Sequence, residues 1–198
     1  MSRAGVNSRA SAFYLLAESD LRQGDTVGAR RALEQSTAAD DRLAPAHVLL
    51  AMLYEQAREY DMAIERYRRV LALMPNDPVA LNNLAYALAV RRNEPRQALP
   101  LAEKAYSLAK GNPNIADTLG WIHHLLGNKE RSLQLMKEAS QSAPDNADIH
   151  LHAAVVYAAD ARLDLAAREL AKATEINPDI DKYEEAQQLH KQLQKPER

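Results

Sequence analysis

The sequence contains no cysteine, few glycines and few aromatic residues. Without cysteine the chain has no disulfide bond, no thiolate nucleophile and no cysteine metal site. Aromatic residues make up 5% of the 198 residues and glycine occurs six times, whereas alanine and leucine are abundant. Alanine and leucine favour helices, and the scarcity of β-branched runs disfavours a sheet protein. We therefore predict a helical globular chain.

The formal net charge is −2 at pH 7, so the chain has no basic field that would attract nucleic acid. Its arginine clusters lie among acidic residues, which is typical of solvated helix faces. We expect no nucleic-acid partner. The clusters are Arg30-Arg31, Arg66/Arg68/Arg69 and Arg91-Arg92.

No apolar run reaches the ~18 residues that a membrane-spanning helix requires. The first twenty residues also lack the unbroken apolar stretch of a signal peptide. We expect no direct membrane insertion. If Met1 is the natural start, we expect a cytoplasmic protein; if the chain is a domain cut from a longer protein, a periplasmic location stays open.

The motifs of common active sites are missing. There is no phosphate-binding glycine loop and no zinc-binding HExxH motif. None of the six histidines has a histidine partner four residues away on one helix, and no serine lies in a nucleophile elbow. We predict a non-enzymatic chain with no catalytic residue, no metal and no cofactor.

Two series of small residues recur with a period of about 34 residues. The members of the first series are separated by 34, 34, 35 and 34 residues, and those of the second by 34, 35, 34 and 34. The one extra residue falls in the segment VRRNEP, where a turn can absorb it. The first series is Ala17, Ala51, Ala85, Gly120 and Ala154; the second is Ala29, Ala63, Ala98, Ser132 and Ala166.

Each period contains two helical patterns of about a dozen residues on either side of a short turn. Small residues at the two recurring positions let the paired helices approach closely. Asp77 and Asn112 are predicted N-caps, because each is followed by a proline suited to the first helical position. The sequence therefore predicts repeated helix–turn–helix units.

This pattern resembles the tetratricopeptide repeat, a 34-residue helix–turn–helix unit. The segment APAHVLLAMLYEQAREYDMAIERYRRVLALMPND matches it at most marker positions. The resemblance implies an all-α, right-handed superhelical solenoid, closed here by a C-terminal capping helix over 181–194. We expect flexible segments at 1–9 and 195–198. The five predicted copies are 10–43, 44–77, 78–112, 113–146 and 147–180.

In this family the first helix of each unit lines a concave groove, and the resemblance implies which positions face it. These are the fifth, ninth and twelfth residues of a copy. The predicted partner-binding residues are Tyr14, Glu18, Val48, Met52, Glu55, Asn82, Tyr86, Asp117, Trp121, His124, Leu151 and Val155.

Two alternatives stay open for Trp121, the only tryptophan. Its ring is either exposed in the groove for binding or packed between repeats. Some family members bind a chaperone's C-terminal carboxylate with a lysine and an asparagine on a first helix. Here no fifth position holds lysine, and Glu18 and Asp117 add negative charge. We therefore expect a partner with aliphatic anchors and some basic residues.

The leading functional prediction is a scaffold that binds a partner peptide or helix in the groove. The alternative is a scaffold that self-assembles into homo-oligomers through its terminal repeats, since the first copy begins without an obvious cap and its Phe13 and Leu16 need cover. A narrower resemblance rests on the DTLGW segment. It is similar to closing repeats of long bacterial proteins linked to exopolysaccharide export and PEP-CTERM sorting.

Overall fold

A computed structural model describes the backbone of residues 3–194 and the side chains of residues 8–194. Within this range it contains eleven α-helices and no β-strand. The chain divides into two compact units, one ending at Arg92 and the other beginning at Asn93. The division falls inside the predicted third copy, so its two helices belong to different units.

The first unit holds the helices of copies one and two and the first helix of copy three. α5 continues into a π-helical turn, Ala87–Arg91. Its helices are α1 (Arg3–Arg22), α2 (Thr26–Ala39), α3 (Ala44–Gln56), α4 (Tyr60–Leu73) and α5 (Pro78–Tyr86).

The second unit holds the remaining helices. A 3₁₀ turn, Pro178–Lys182, precedes the last of them. Its helices are α6 (Pro95–Leu108), α7 (Pro113–Leu125), α8 (Lys129–Ser142), α9 (Ala147–Ala159), α10 (Leu163–Ile176) and α11 (Glu184–Leu193).

The chain ends differ in part from the expectation. We predicted a flexible segment over 1–9, but α1 is helical from Arg3 onward. Residues 1–2 and the predicted tail 195–198 lie outside the described residues. In the predicted capping segment, α11 packs on α9, with Ala186 and Leu189 buried.

The two small-residue series lie where paired helices meet. α3 packs on α4, and Ala51 and Ala63 have no exposed surface. In copy four, the hydroxyl of Ser132 donates a buried hydrogen bond of 2.9 Å to the carbonyl oxygen of Gly120. A Cβ on Gly120 would lie 3.1 Å from the Cβ of Leu135, which is tighter than ordinary packing. Glycine therefore allows α7 and α8 this close approach.

The predicted N-caps are confirmed. The Asp77 side chain accepts a hydrogen bond of 2.7 Å from the backbone N–H of Ala80. Asn112 accepts one of 3.0 Å from the backbone N–H of Asn114. Each cap satisfies an N–H group that the first helical turn leaves without an internal partner.

The turn after each first helix uses a left-handed backbone at one recurring position. This is position 15 of a copy, with the extra residue of copy three counted. Because L side chains are strained in this conformation, glycine suits it best. The five residues and their φ angles are Gly24 (78°), Arg58 (60°), Asn93 (55°), Gly127 (77°) and Ala161 (58°).

The extra residue of copy three is accommodated in the π-helical turn at the end of α5, before the left-handed residue Asn93. There the backbone N–H of Arg92 donates to the carbonyl oxygen of Ala87, five residues earlier, at 3.2 Å. A π-helical turn holds one residue more than the α-helical turn it replaces. The insertion therefore leaves α5 itself in register with the first helices of the other copies.

Candidate partner-binding site

The predicted positions on α3 form one face of that helix. Val48, Met52 and Glu55 are four and three residues apart, so they follow one another along the same side. The Met52 side chain is 45% exposed, whereas Val48 and Glu55 are half-buried. Within each of the two compact units, the fifth, ninth and twelfth positions of the first helices define what we call the first-helix face of that unit.

On α1 the face begins with a hydrogen-bonded pair. The Tyr14 hydroxyl donates to Oε1 of Glu18 at 3.0 Å, and both side chains are half-buried. Burial and this carboxylate raise the pKa of Tyr14 above its ordinary value. The hydrogen bond thus holds the Glu18 carboxylate in place on this face.

Arg91, which the sequence did not assign to the face, interacts electrostatically with Glu55. Burial raises the pKa of the Glu55 carboxyl, and the positive charge of Arg91 counteracts part of that rise. The Arg91 guanidinium lies 5.5 Å from the ring centre of Tyr86 and 4.9 Å from that of Tyr60. Arg91 resembled a solvated surface residue in sequence, because the contact depends on the π-helical turn.

The α5 part of the face carries Asn82 and Tyr86, both half-buried. The Asn82 amide donates a long hydrogen bond of 3.5 Å to Oδ1 of Asn83. The Tyr86 ring lies beneath Arg91. In the first unit the face therefore combines an exposed methionine with polar and aromatic neighbours.

In the second unit, Asp117 is not the open acidic residue that we predicted. Its side chain is buried and accepts hydrogen bonds at 2.9 and 3.0 Å from Nδ1 of His152. Asp117 lies on α7 and His152 on α9, so the pair joins consecutive repeat copies. This pairing corrects the expectation that Asp117 offers a free carboxylate to a partner.

The Trp121 ring is half-buried and packs against the core of the second unit. Its ring centre lies 4.6 Å from that of His152 and 5.3 Å from that of His124. Trp121 therefore combines partial exposure with packing between two copies. His152 was missed in the sequence. The one indication in the sequence was its repeat position: His152 is the sixth residue of copy five, next in repeat position to Asp117, the fifth residue of copy four.

The remaining two predicted residues on α9 differ in exposure. Leu151 is buried in the core of the second unit, which corrects its assignment as a partner contact. Val155 is half-buried against the same core. His124 borders a largely apolar pocket of about 120 Å³, with Leu133 and Val156 in its lining.

The two imidazoles beside Trp121 differ in protonation. Burial lowers the pKa of His124, which therefore stays neutral near pH 7. Burial is the largest single effect on His152 and opposes its charged form, but the carboxylates of Asp117, Asp148 and Glu185 together outweigh burial and raise the pKa of His152. His152, which is hydrogen-bonded to the Asp117 carboxylate, is thus the imidazole that is protonated more readily.

The described part of the chain contains no group of three or more His, Asp or Glu side chains placed to hold a metal ion. In the same range, none of the helices has the length and apolar character needed to cross a bilayer.

Two segments match family models. Residues 46–78 match one model and residues 119–179 match another, and both models describe the tetratricopeptide repeat. These segments contain seven residues of the predicted site: Val48, Met52, Glu55, Trp121, His124, Leu151 and Val155.

Two known proteins are similar in sequence. The TPR repeat-containing protein PA4667 of Pseudomonas aeruginosa is 32% identical over 96 residues, which are 48% of this chain and 16% of that protein. The interferon-induced protein with tetratricopeptide repeats 2 of Cricetulus griseus is 23% identical over 95 residues, which are 48% of this chain and 20% of that protein. The matches thus span a fifth or less of either relative.

Three solved structures share the fold. PilW, a type IV pilus biogenesis factor, has a TM-score of 0.74 at 18% identity, with 93% of this chain and 92% of PilW covered. MamA from Desulfovibrio magneticus RS-1 has a TM-score of 0.71 at 20% identity, with 87% and 97% covered. YrrB, described as a TPR protein with an unusual peptide-binding site, has a TM-score of 0.66 at 21% identity, with 90% of each chain covered.

The described part of the chain is therefore all-α, and two of its segments match the tetratricopeptide repeat. Family models identify repeats at 46–78 and 119–179, and the same helical fold relates the chain to solved repeat proteins.

Proposed function

We propose that the chain is a non-enzymatic scaffold that binds a peptide or helix of a partner protein on its first-helix faces. The observation that carries this proposal is the 45% exposure of Met52 between half-buried Val48 and Glu55. A methionine adapts its shape to different apolar partners. Burying the rest of its side chain would contribute about 1 kcal/mol to binding.

The partner in this proposal has an aliphatic or aromatic anchor for Met52 and basic residues nearby. Glu18 is the reason to expect basic residues in the partner, since the Tyr14 hydroxyl is the only donor to its carboxylate among the described hydrogen bonds. The unusual peptide-binding site of YrrB, which shares this fold, supports a peptide as the ligand class. PilW and the DTLGW segment support a setting in a bacterial secretion, pilus or polysaccharide-export assembly.

The test is selection of binding peptides from a random displayed library on the immobilised chain. Affinities of the selected peptides are then measured for wild type, Met52→Glu and Met62→Glu. Met62 is a matched control, because it is 37% exposed but lies on α4, a second helix. We expect binding to fall about tenfold or more for Met52→Glu, about 1.4 kcal/mol, and to stay unchanged for Met62→Glu. Equal affinities for all three chains would reject the proposal.

A second candidate function is self-assembly through the first repeat. Leu15, Leu16 and Val27 are 60%, 50% and 69% exposed on α1 and α2. Exposed apolar side chains of this kind favour association with a second copy. Sedimentation velocity over a wide concentration range tests this function. Concentration-dependent mass that Leu16→Glu abolishes would support it, and a monomer at every concentration would reject it.

A further inference from the structure

Four side chains of the second unit form a connected group around the only tryptophan. We call Asp117, Trp121, His124 and His152 the Trp121 cluster. The first three lie at successive turns of α7, and His152 lies on α9 of the next copy. The cluster is thus assembled by two consecutive repeats.

Asp117 fixes the His152 ring. Nδ1 of His152 donates to both carboxylate oxygens, at 2.9 and 3.0 Å. The Asp117 side chain is only 10% exposed, so water competes weakly for this hydrogen bond. The bond sets the orientation of the imidazole and puts a proton on Nδ1. Nε2, the second ring nitrogen of His152, is therefore the atom that gains or loses a proton as pH changes.

His152 in turn contacts the indole ring. The ring centres are 4.6 Å apart and the planes differ by 31°, within the range of attractive offset ring contacts. A protonated imidazole adds attraction to the electron-rich face of tryptophan. His124 contacts the same indole at 5.3 Å, but burial lowers its pKa, so that contact is between neutral rings.

Several charged groups act on His152. Asp117 on α7, Asp148 on α9 itself and Glu185 on α11 all favour its protonated form, while burial opposes it. The result is a raised pKa for His152. Deprotonation removes the attraction to the indole and weakens the hydrogen bond to Asp117, because charge-assisted hydrogen bonds are about twice as strong as neutral ones.

We propose that His152 is a positioning residue: held by Asp117, its imidazolium fixes the Trp121 ring on the first-helix face of the second unit, and loss of the proton loosens that hold. The effect on partner binding rests on the proposed function. A partner that contacts Trp121 meets a fixed ring when His152 is protonated and a looser ring when it is not. The hold itself is a property of the chain alone.

Trp121 fluorescence tests the proposal directly, because the chain has one tryptophan. Intensity and time-resolved anisotropy are recorded against pH for wild type, Asp117→Asn, His124→Gln and His152→Gln. We expect a step in wild type, with stronger quenching and slower ring motion on the acid side. Its midpoint should lie above the ordinary histidine value of about 6.5.

The variants distinguish positioning from general packing. The step should disappear in His152→Gln, move to lower pH in Asp117→Asn and persist in His124→Gln. Circular dichroism identifies any variant that does not fold. If Asp117→Asn fails to fold, the two histidine variants decide the outcome between them. A step that persists in His152→Gln, or that disappears in His124→Gln instead, would overturn the proposal.

The proposed function can fail separately. Peptides selected on wild type are titrated into Trp121→Leu and into His152→Gln at two pH values, one on each side of the fluorescence step. If the step depends on His152 but Trp121→Leu binds as wild type does, the positioning role stands and Trp121 is not part of the binding site. If Trp121→Leu abolishes binding while no step is seen, the binding site stands and the positioning role fails.

Discussion

Leu16 and Leu50 occupy the same position of consecutive repeat copies, yet Leu16 is 50% exposed and Leu50 is 1% exposed. The equivalent residues of copies three and four, Leu84 and Leu119, are buried as Leu50 is. α2 packs on α3, whereas no described helix precedes α1. The same leucine is thus a core residue in one copy and an exposed apolar residue in the other.

This difference in burial predicts that truncation of the two side chains lowers the free energy of unfolding by different amounts. Leu50→Ala should lower the free energy of unfolding by about 2–5 kcal/mol, because it leaves a cavity. Leu16→Ala should cost less than about 1 kcal/mol, because that side chain has little packing to lose. Urea denaturation at low protein concentration measures both. Similar losses for the two variants would mean that a second copy covers Leu16.

The left-handed turn position predicts a gain in stability. Ala161 has a φ of 58°, where the equivalent residue of copy four is Gly127. Ala161→Gly should raise the free energy of unfolding by up to about 1 kcal/mol, because it relieves strain at Cβ. Gly127→Ala should lower it by a similar amount. Chemical denaturation of this reciprocal pair checks the account, and changes of the same sign in both would refute it.

The N-cap of α5 predicts a loss of stability when its side chain is removed. Asp77→Ala removes the side chain that accepts a hydrogen bond from the backbone N–H of Ala80. The free energy of unfolding should fall by about 1 kcal/mol, within the usual range for N-caps. Exposed Asn76, in the same turn, is the control, and Asn76→Ala should change stability by less than about 0.5 kcal/mol. Thermal melts of both variants give the comparison; a larger effect at Asn76 would contradict it.

The protonation of His152 predicts a pH-dependent contribution to stability. Because its pKa is raised in the folded chain, its contribution is complete below the unfolded value of about 6.5 and is lost as pH rises through the folded pKa. The difference in unfolding free energy between wild type and His152→Gln should therefore shrink as pH rises from about 6.5 through the folded pKa of His152.

His124 provides a control of opposite sign. Its pKa is lowered by burial, so its contribution is complete above the unfolded value of about 6.5 and is lost as pH falls from there through the folded pKa. The difference between wild type and His124→Gln should grow as pH rises to neutrality and then level off. Denaturation curves at several pH values measure both differences. A constant difference for His152→Gln would contradict the raised pKa.

The fold was predictable because its determinants are periodic. Ala51 and Ala63 are buried where two helices meet, and Asp77 and Asn112 cap helices as predicted. Such features depend on spacing within one repeat, which the sequence displays directly.

The candidate site was only partly predictable, because its contacts join different helices. The hydrogen bond between Asp117 and His152 depends on how α7 meets α9, and the position of Arg91 depends on a π-helical turn. Leu151 was assigned to the face by its repeat position, but its burial follows from the packing of α9 in the core of the second unit. Position within a repeat therefore predicted the helix and its register, but not the exposure of each side chain.

The most direct test of partner binding on the first-helix face uses the methionine methyl groups as probes. The chain has five methionines, of which Met52 is exposed on that face, Met62 and Met74 are exposed elsewhere, and Met136 is buried. A selected peptide is titrated into chain labelled with ¹³C at the methionine methyls. We predict that the Met52 signal shifts progressively to saturation while the Met62, Met74 and Met136 signals stay unchanged. Saturable shifts of Met62 or Met74 with an unmoved Met52 signal would contradict the account.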